Sequence, residues 1–304
     1  MKKICLLFSI LLLLPGTLAR GEAFTFSDAL QREVTLEKKP ERVVAFLGSF
    51  GESWLLAGGT LLGVTEDAIS ERGLVLDENV QLIGTTKKPN LELTAALSPD
   101  LVLLSSDLDA HLALRPVMDA AGIPYAFFSV NTWQEYMAMT KILCHLTGRQ
   151  DRYEIQKQQV EEPIETLLQS AREHPGFGKQ TVLLLRAYST GVKAKGSDNL
   201  AGAILKDMGL VNIADSQETL LENLTLEAIL AMDPDYIMIT TMGGQADAAM
   251  AALDREFAQS PAWQALSAVK NSRVIHLDRT LFHLKPNARW AESYQIIGEL
   301  LYAP

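Results

Sequence analysis

The stretch Asn90-Leu-Glu-Leu-Thr-Ala-Ala-Leu-Ser-Pro-Asp-Leu-Val-Leu-Leu104 has a counterpart in Leu226-Glu-Ala-Ile-Leu-Ala-Met-Asp-Pro-Asp-Tyr-Ile-Met-Ile239. In each, a glutamate (Glu92, Glu227) opens a short apolar helix, and a proline (Pro99, Pro234) follows it by seven positions. Pro-Asp then leads into an apolar strand. One helix–turn–strand unit of this kind is common. Two in one chain, with glycine stops at Gly58-Gly59 and Gly209, imply two similar lobes.

Outward from the first copy, β-rich runs at 42–47, 61–65, 80–84, 101–106 and 125–130 alternate with helical patterns at 92–97, 111–121 and 133–147. Residues 24–39 are a polar opening, and Gly48-Ser49-Phe50-Gly51 is a loop with a short helical stretch behind it. Around the second copy, strands at 181–188, 211–214, 236–240 and 273–278 alternate with helices at 199–208, from Glu227, around Trp263 and Leu266, and at 288–302. Such alternation predicts mostly parallel sheets covered on both faces. Between the two sets, Tyr153, Val160, Ile164, Leu167, Leu168 and Ala171 recur at helical spacing. A helix over 150–173 would span roughly 35 Å, with a kink at Pro163. The expected fold is therefore α/β, with two Rossmann-like lobes joined by a single long helix and a ligand cleft between them. The divisions fall at 24–149, 150–173 and 174–304, with the last helix free to pack back across the lobes.

Residues 1–23 form an export signal instead. Lys2 and Lys3 precede an apolar run from Ile4 to Pro15, and small residues follow up to cleavage positions between Ala19 and Ala23. That run is shorter than the ~20 residues a membrane-spanning helix needs. Its removal takes away Lys2, Lys3, Arg20 and Glu22 and moves the net charge from -10 to -12. A polyanion such as nucleic acid is a poor partner for that surface. Only Cys144 remains in the exported chain, in an apolar helical stretch where a thiol acts as a small hydrophobe. Cys5 stands too early, with the wrong neighbours, to carry a lipid, so a free periplasmic monomer is expected.

The chain resembles the ferric-siderophore, haem and cobalamin class of periplasmic binding proteins over nearly its whole exported length. The marks are Asp28 through Arg42-Val43-Val44, Asn90-Leu-Glu92 to Pro99-Asp100-Leu-Val102, and Ser197-Asp198 before the helix to Gly209. Glu227 to Pro234-Asp235 and Pro261-Ala-Trp263 to Arg273-Val274 complete them. The resemblance implies a solute-binding component of an ABC importer. It would carry an iron chelate, a ferric siderophore or haem, to a membrane permease–ATPase complex, with no cofactor and no enzymatic activity. It further implies that Glu92 and Glu227 dock the two lobes on arginines of the permease. A carboxylate in the first turn of a helix is also favoured by the helix dipole alone.

Ligand contacts are expected from loops at the C-terminal ends of strands, where open α/β sheets form crevices. The first lobe offers Ser49 and Phe50, Lys87 in the 85–88 loop, and Ser105. The second offers Arg186 and Tyr188, Thr241 in the 240–244 loop, and His283, Arg289 and Trp290 in the segment 282–290. Arg186 ends the apolar run 182–185, and its planar fork suits carboxylate oxygen; an acid in its own lobe is the other option. Tyr188 and His283 are of the types that ligate haem iron. Cobalamin or another corrinoid is the alternative ligand and would want an aromatic cleft of Phe50, Trp54 and Trp290. The five histidines show no spacing for a bare metal. A metal-cluster or chelatase enzyme on a two-lobed fold would need converging cysteines or histidines, and hydrolase and redox motifs are missing. The motif from Gly176 to Thr181 precedes a strand, whereas a phosphate loop follows one.

Overall fold

The computed structural model describes residues 23–216, 221, 225–243 and 246–302. The export signal, Ala23 apart, and Gly244 of the 240–244 loop lie outside them.

Both copies of the repeated unit are built by the same local devices. Asn90 caps the helix Leu91–Ala96 by accepting the Leu93 amide at 3.0 Å, and Thr225 caps Leu226–Met232 by accepting the Ala228 amide at 3.3 Å. The residue before each proline is left-handed, Ser98 at φ 46° and Asp233 at φ 37°. That geometry stops the helix where proline could not continue it. The following aspartate then anchors the neighbouring strand. Asp100 accepts the amides of Glu41 and Arg42 at 3.0 and 2.8 Å, and Asp235 accepts the amide and hydroxyl of Thr181 at 2.8 and 3.0 Å.

These strands lie inside two separate sheets. The first has the order β5-β4-β3-β8-β9, from Gln81–Leu82, Leu61–Val64, Val43–Ala45, Leu101–Ser105 and Tyr125–Phe128, and every pairing in it is parallel. In the second, β10 (Thr181–Tyr188) pairs in parallel with β12 (Val211–Asn212) and β13 (Tyr236–Thr241), and β14 (Val274–His276) follows β13. The strand β11 (Gly191–Ala194) runs antiparallel to the far end of β10. The series β4-β3-β8-β9 thus matches β12-β10-β13-β14.

Three pieces of sheet depart from the expectation. The polar opening is a hairpin of β1 (Phe24–Ser27) and β2 (Glu33–Leu36), whose Val34 and Leu36 alternate inward. A small hairpin, β6 (Gly84–Thr85) with β7 (Lys88–Pro89), carries Lys87 at its tip. The third is β11, which places Val192 and Ala194 in the core and Lys193 outside.

Alternation along the strands divides the interior. Val44, Val102 and Leu104 fill a cluster of the first lobe, and Leu183, Leu185, Ile237 and Ile239 fill one of the second. The opposite faces (Val43, Leu101 and Leu103; Val182, Leu184 and Met238) belong to one continuous core. That core also takes in Leu143, Val160, Ile164, Leu168, Trp290 and Tyr294. The residues 150–173 are helical in three consecutive pieces: Gln150–Gln156, a wide π turn at Lys157–Glu161, and Glu162–Glu173. Pro163 lies in the first turn of the last piece. It has no N–H and its ring crowds the carbonyl of Gln159, so the regular ladder cannot run through, and the chain widens by one π turn just before it. The final helix, Trp290–Tyr302, packs along Glu162–Glu173 and against Leu200–Asp207.

Candidate functional site

The C-terminal ends of β3, β4, β8 and β9 face those of β13 and β14 across a cavity of about 240 Å³. Its lining from the first sheet is Leu47, Ser49, Asp67, Glu71, Arg72, Ser105, Asp107, Leu108 and Asn131; from the second it is Leu200, Met242, His283, Leu284 and Lys285.

Charged contacts cross this cleft. Lys285 donates to Asp107 Oδ2 at 3.0 Å and to the Val130 carbonyl at 2.6 Å, and Arg279 pairs with Glu71 at 2.8 Å. Arg72, paired with Glu52 in its own lobe, reaches over to the Lys285 carbonyl at 3.0 Å. Asn287, left-handed at φ 53° and fully buried, donates to the Ser49 carbonyl at 2.9 Å and to Glu52 at 2.8 Å. Burial opposes ionisation of Asp107, but the Lys285 charge and hydrogen bonds from Lys285 and Ser129 outweigh it and hold the carboxyl below its ordinary value.

His283 is the opposite case. Burial first, then the positive charges of Arg186, Arg279 and Lys285, push its imidazole down to about 4, so the ring is neutral at pH 7. Its Nδ1 is buried without a hydrogen-bond partner. Arg186 stands at the end of β10 with one hydrogen bond, to Asn199 Oδ1 at 3.3 Å, and its Nε is buried and unpartnered. Among the described residues it makes no ion pair. His111, by contrast, is structural. It is fully buried, Nδ1 accepts the Ser105 amide at 3.0 Å, and Nε2 faces the Thr86 carbonyl at 2.9 Å.

Ser49, Ser105 and His283 line the cavity, and Arg186, not itself a lining residue, is near enough to His283 for its charge to act on the ring. Thr241 ends β13 directly before Met242, which lines it. The others lie elsewhere. Phe50 is not in a loop: the helix begins at Gly48, and Phe50 sits fully buried beside Phe128, with Trp54 one turn on. Trp290 is also fully buried, on the core face of the last helix with Tyr294 and Ile297. Arg289 is exposed, paired with Glu292 at 2.7 Å, and lines an adjoining hollow that shares Glu71, Arg72 and Leu284 with the cavity. Tyr188 and Lys193 line a shallow hollow at the β10–β11 hairpin, and Lys87 is exposed on the other hairpin. Asp67, Asp107 and Lys285 were not singled out. Asp67 follows the end of β4, a strand end of the same kind as those that carry Ser49 and Ser105, and Lys285 lies inside the segment 282–290. Glu92 and Glu227 are both exposed in the first turns of equivalent helices.

Two lobes on parallel sheets, with a cavity between their strand ends bordered by charged residues, define a solute-binding protein. The chain belongs to the periplasmic binding protein family, whose model matches residues 44–281. It is 25% identical over 256 residues to the Fe(3+) dicitrate-binding periplasmic protein FecB of Escherichia coli strain K12, covering 80% of this chain and 79% of FecB. Among solved structures it is similar to an ABC transporter substrate-binding protein from Listeria monocytogenes EGD-e, at 23% identity and TM-score 0.71, over 88% of this chain and 100% of that one. IsdE of Staphylococcus aureus, complexed with heme, aligns at 18% identity and TM-score 0.71 over 86% of this chain and 98% of IsdE.

Proposed function

We propose that the chain is the solute-binding component of an ABC importer, that it binds a ferric chelate presenting anionic oxygen, and that it delivers the chelate in the periplasm to a membrane permease–ATPase complex. Arg186 carries this reading: a cation near His283 of the cleft, partly withdrawn from water, with no acid paired to it among the described residues. An arginine so placed calls for an anion, and its fork matches carboxylate. The likeness to FecB supports a citrate-type chelate. A corrinoid loses its basis, because Phe50, Trp54 and Trp290 are all core residues. Haem stands as a second reading on one observation, the unpartnered neutral ring nitrogen of His283, together with the likeness to IsdE.

The cavity is smaller than the ~300–1,000 Å³ usual for small-molecule sites. Loading a chelate therefore requires the Lys285–Asp107 and Arg279–Glu71 pairs to part. The test is calorimetric titration of the exported form with ferric dicitrate, a ferric trihydroxamate, a ferric tricatecholate and haemin. Ferric dicitrate is expected to bind, and Arg186→Ala to weaken it at least ~10-fold, the scale of a charge-assisted hydrogen bond. Failure of all four to bind, or indifference to Arg186→Ala, refutes the proposal.

A further inference from the structure

The two walls of the cavity carry opposite charge. The first lobe brings Asp67, Glu71 and Asp107 to it, and its Arg72 is already paired with Glu52. The second lobe brings Lys285, with Arg186 and Arg279 close enough to act on the same His283 ring. Two of these three cations are neutralised, each by an acid of the facing wall: Lys285 by Asp107 at 3.0 Å and Arg279 by Glu71 at 2.8 Å. In both pairs the carboxylate is the partner that water reaches more, 27% exposed against 14% in the first and 36% against 23% in the second. Glu71 lines both the cavity and the adjoining hollow of about 170 Å³, so its release from Arg279 changes the space on both sides of it.

An anionic cargo on the cationic wall would meet Asp107 and Glu71 as like charges if both pairs stayed closed. Asp107 is ionised at pH 7, since its carboxyl is held below the ordinary value. Ion pairs that water reaches contribute little to stability, so parting them costs little. Lysine and arginine side chains only donate, and once released they need new acceptors. We propose that Asp107 and Glu71 are place-holders for the cargo's own anionic oxygens, which Lys285 and Arg279 take in exchange as the chelate enters. The second lobe's contacts with the cargo then extend from Arg186 to Lys285 and Arg279, and the first lobe supplies an internal competitor for that seat. This rests on the cavity being the chelate site. It narrows the cargo to a chelate with at least two anionic groups, one for each cation released.

The variants that test it are Asp107→Asn and Lys285→Met, titrated with whichever of the four chelates named above binds most tightly, the trihydroxamate being used in an uncharged form. Asparagine keeps an oxygen for the Ser129 hydroxyl, which donates to Asp107 Oδ1 at 2.8 Å, and removes the charge. Binding is expected to tighten ~3-fold or more in Asp107→Asn and to weaken ~10-fold or more in Lys285→Met. The opposite signs decide the matter. A pair that merely latched the lobes would be broken equally from either side, and both variants would then bind more tightly. Unchanged or weaker binding by Asp107→Asn, or unchanged or tighter binding by Lys285→Met, overturns the exchange, as does the uncharged trihydroxamate proving the tightest binder. Glu71→Gln, at the more exposed pair, is read with the same expected sign if Asp107→Asn lowers the melting temperature. If the exchange falls while Arg186→Ala still weakens binding, the proposed function survives. Failure of all four chelates to bind the unaltered protein removes both.

Discussion

His283 shows how one side chain records its surroundings. An unfolded histidine takes up a proton near pH 6.5, whereas this one, desolvated and beside three cations, does so only near 4. Between those values acid favours the unfolded chain, so the stability tied to neutral His283 is complete above pH 6.5 and is lost as pH falls toward 4. The shift corresponds to about 3 kcal/mol at most. Urea unfolding at pH 7 and pH 4.5 should show a smaller acid loss in His283→Gln than in the unaltered protein. An identical loss in both would mean that the ring is protonated in the native cleft. Residue type made His283 visible as a candidate, and Arg279 and Lys285 stand within four positions of it, but Arg186 reaches it only through the fold.

The repeated helix–Pro-Asp–strand unit is the clearest case of an element legible from sequence. Apolar runs following Pro-Asp must be buried strands, and the structure places both in the middle of their sheets. The left-handed residues Ser98 and Asp233 and the aspartate anchors explain why the spacing repeats. Asp235→Ala removes the acceptor for the Thr181 amide and hydroxyl and should lower unfolding free energy by about 1–2 kcal/mol. Asp100→Ala should cost a similar amount at the equivalent corner, as chemical denaturation can show; no loss in either would mean that solvent replaces the anchor. Phe50 and Trp290 were misplaced for a physical reason. Both sit at a change from loop to helix, and their partners at i+4 (Trp54, Tyr294) mark a buried helical stripe. That spacing was present in the sequence. The β1–β2 hairpin and β11 were missed because four-residue alternations carry little signal against polar neighbours.

At the scale of the whole molecule, the exposed pair Glu92 and Glu227 is placed alike on the two lobes, which supports a docking role on the permease. The double change to alanine should abolish chelate uptake by cells while calorimetry gives an unchanged dissociation constant. A matching loss of affinity would assign these carboxylates to the cleft instead. No other line of sequence reasoning pointed to a surface, because an exposed acid has no local pattern to distinguish it. The cross-lobe contacts of Lys285, Arg279 and Asn287 were equally illegible, since each depends on how two sheets distant in sequence come to face one another.

The single interior that runs from Val43 through Ile164 to Met238 has a last consequence. Neither half can lose its packing without uncovering apolar surface belonging to the other, so heat should melt both together in one cooperative step. Although its outline is that of a pair, the protein is thermodynamically one body.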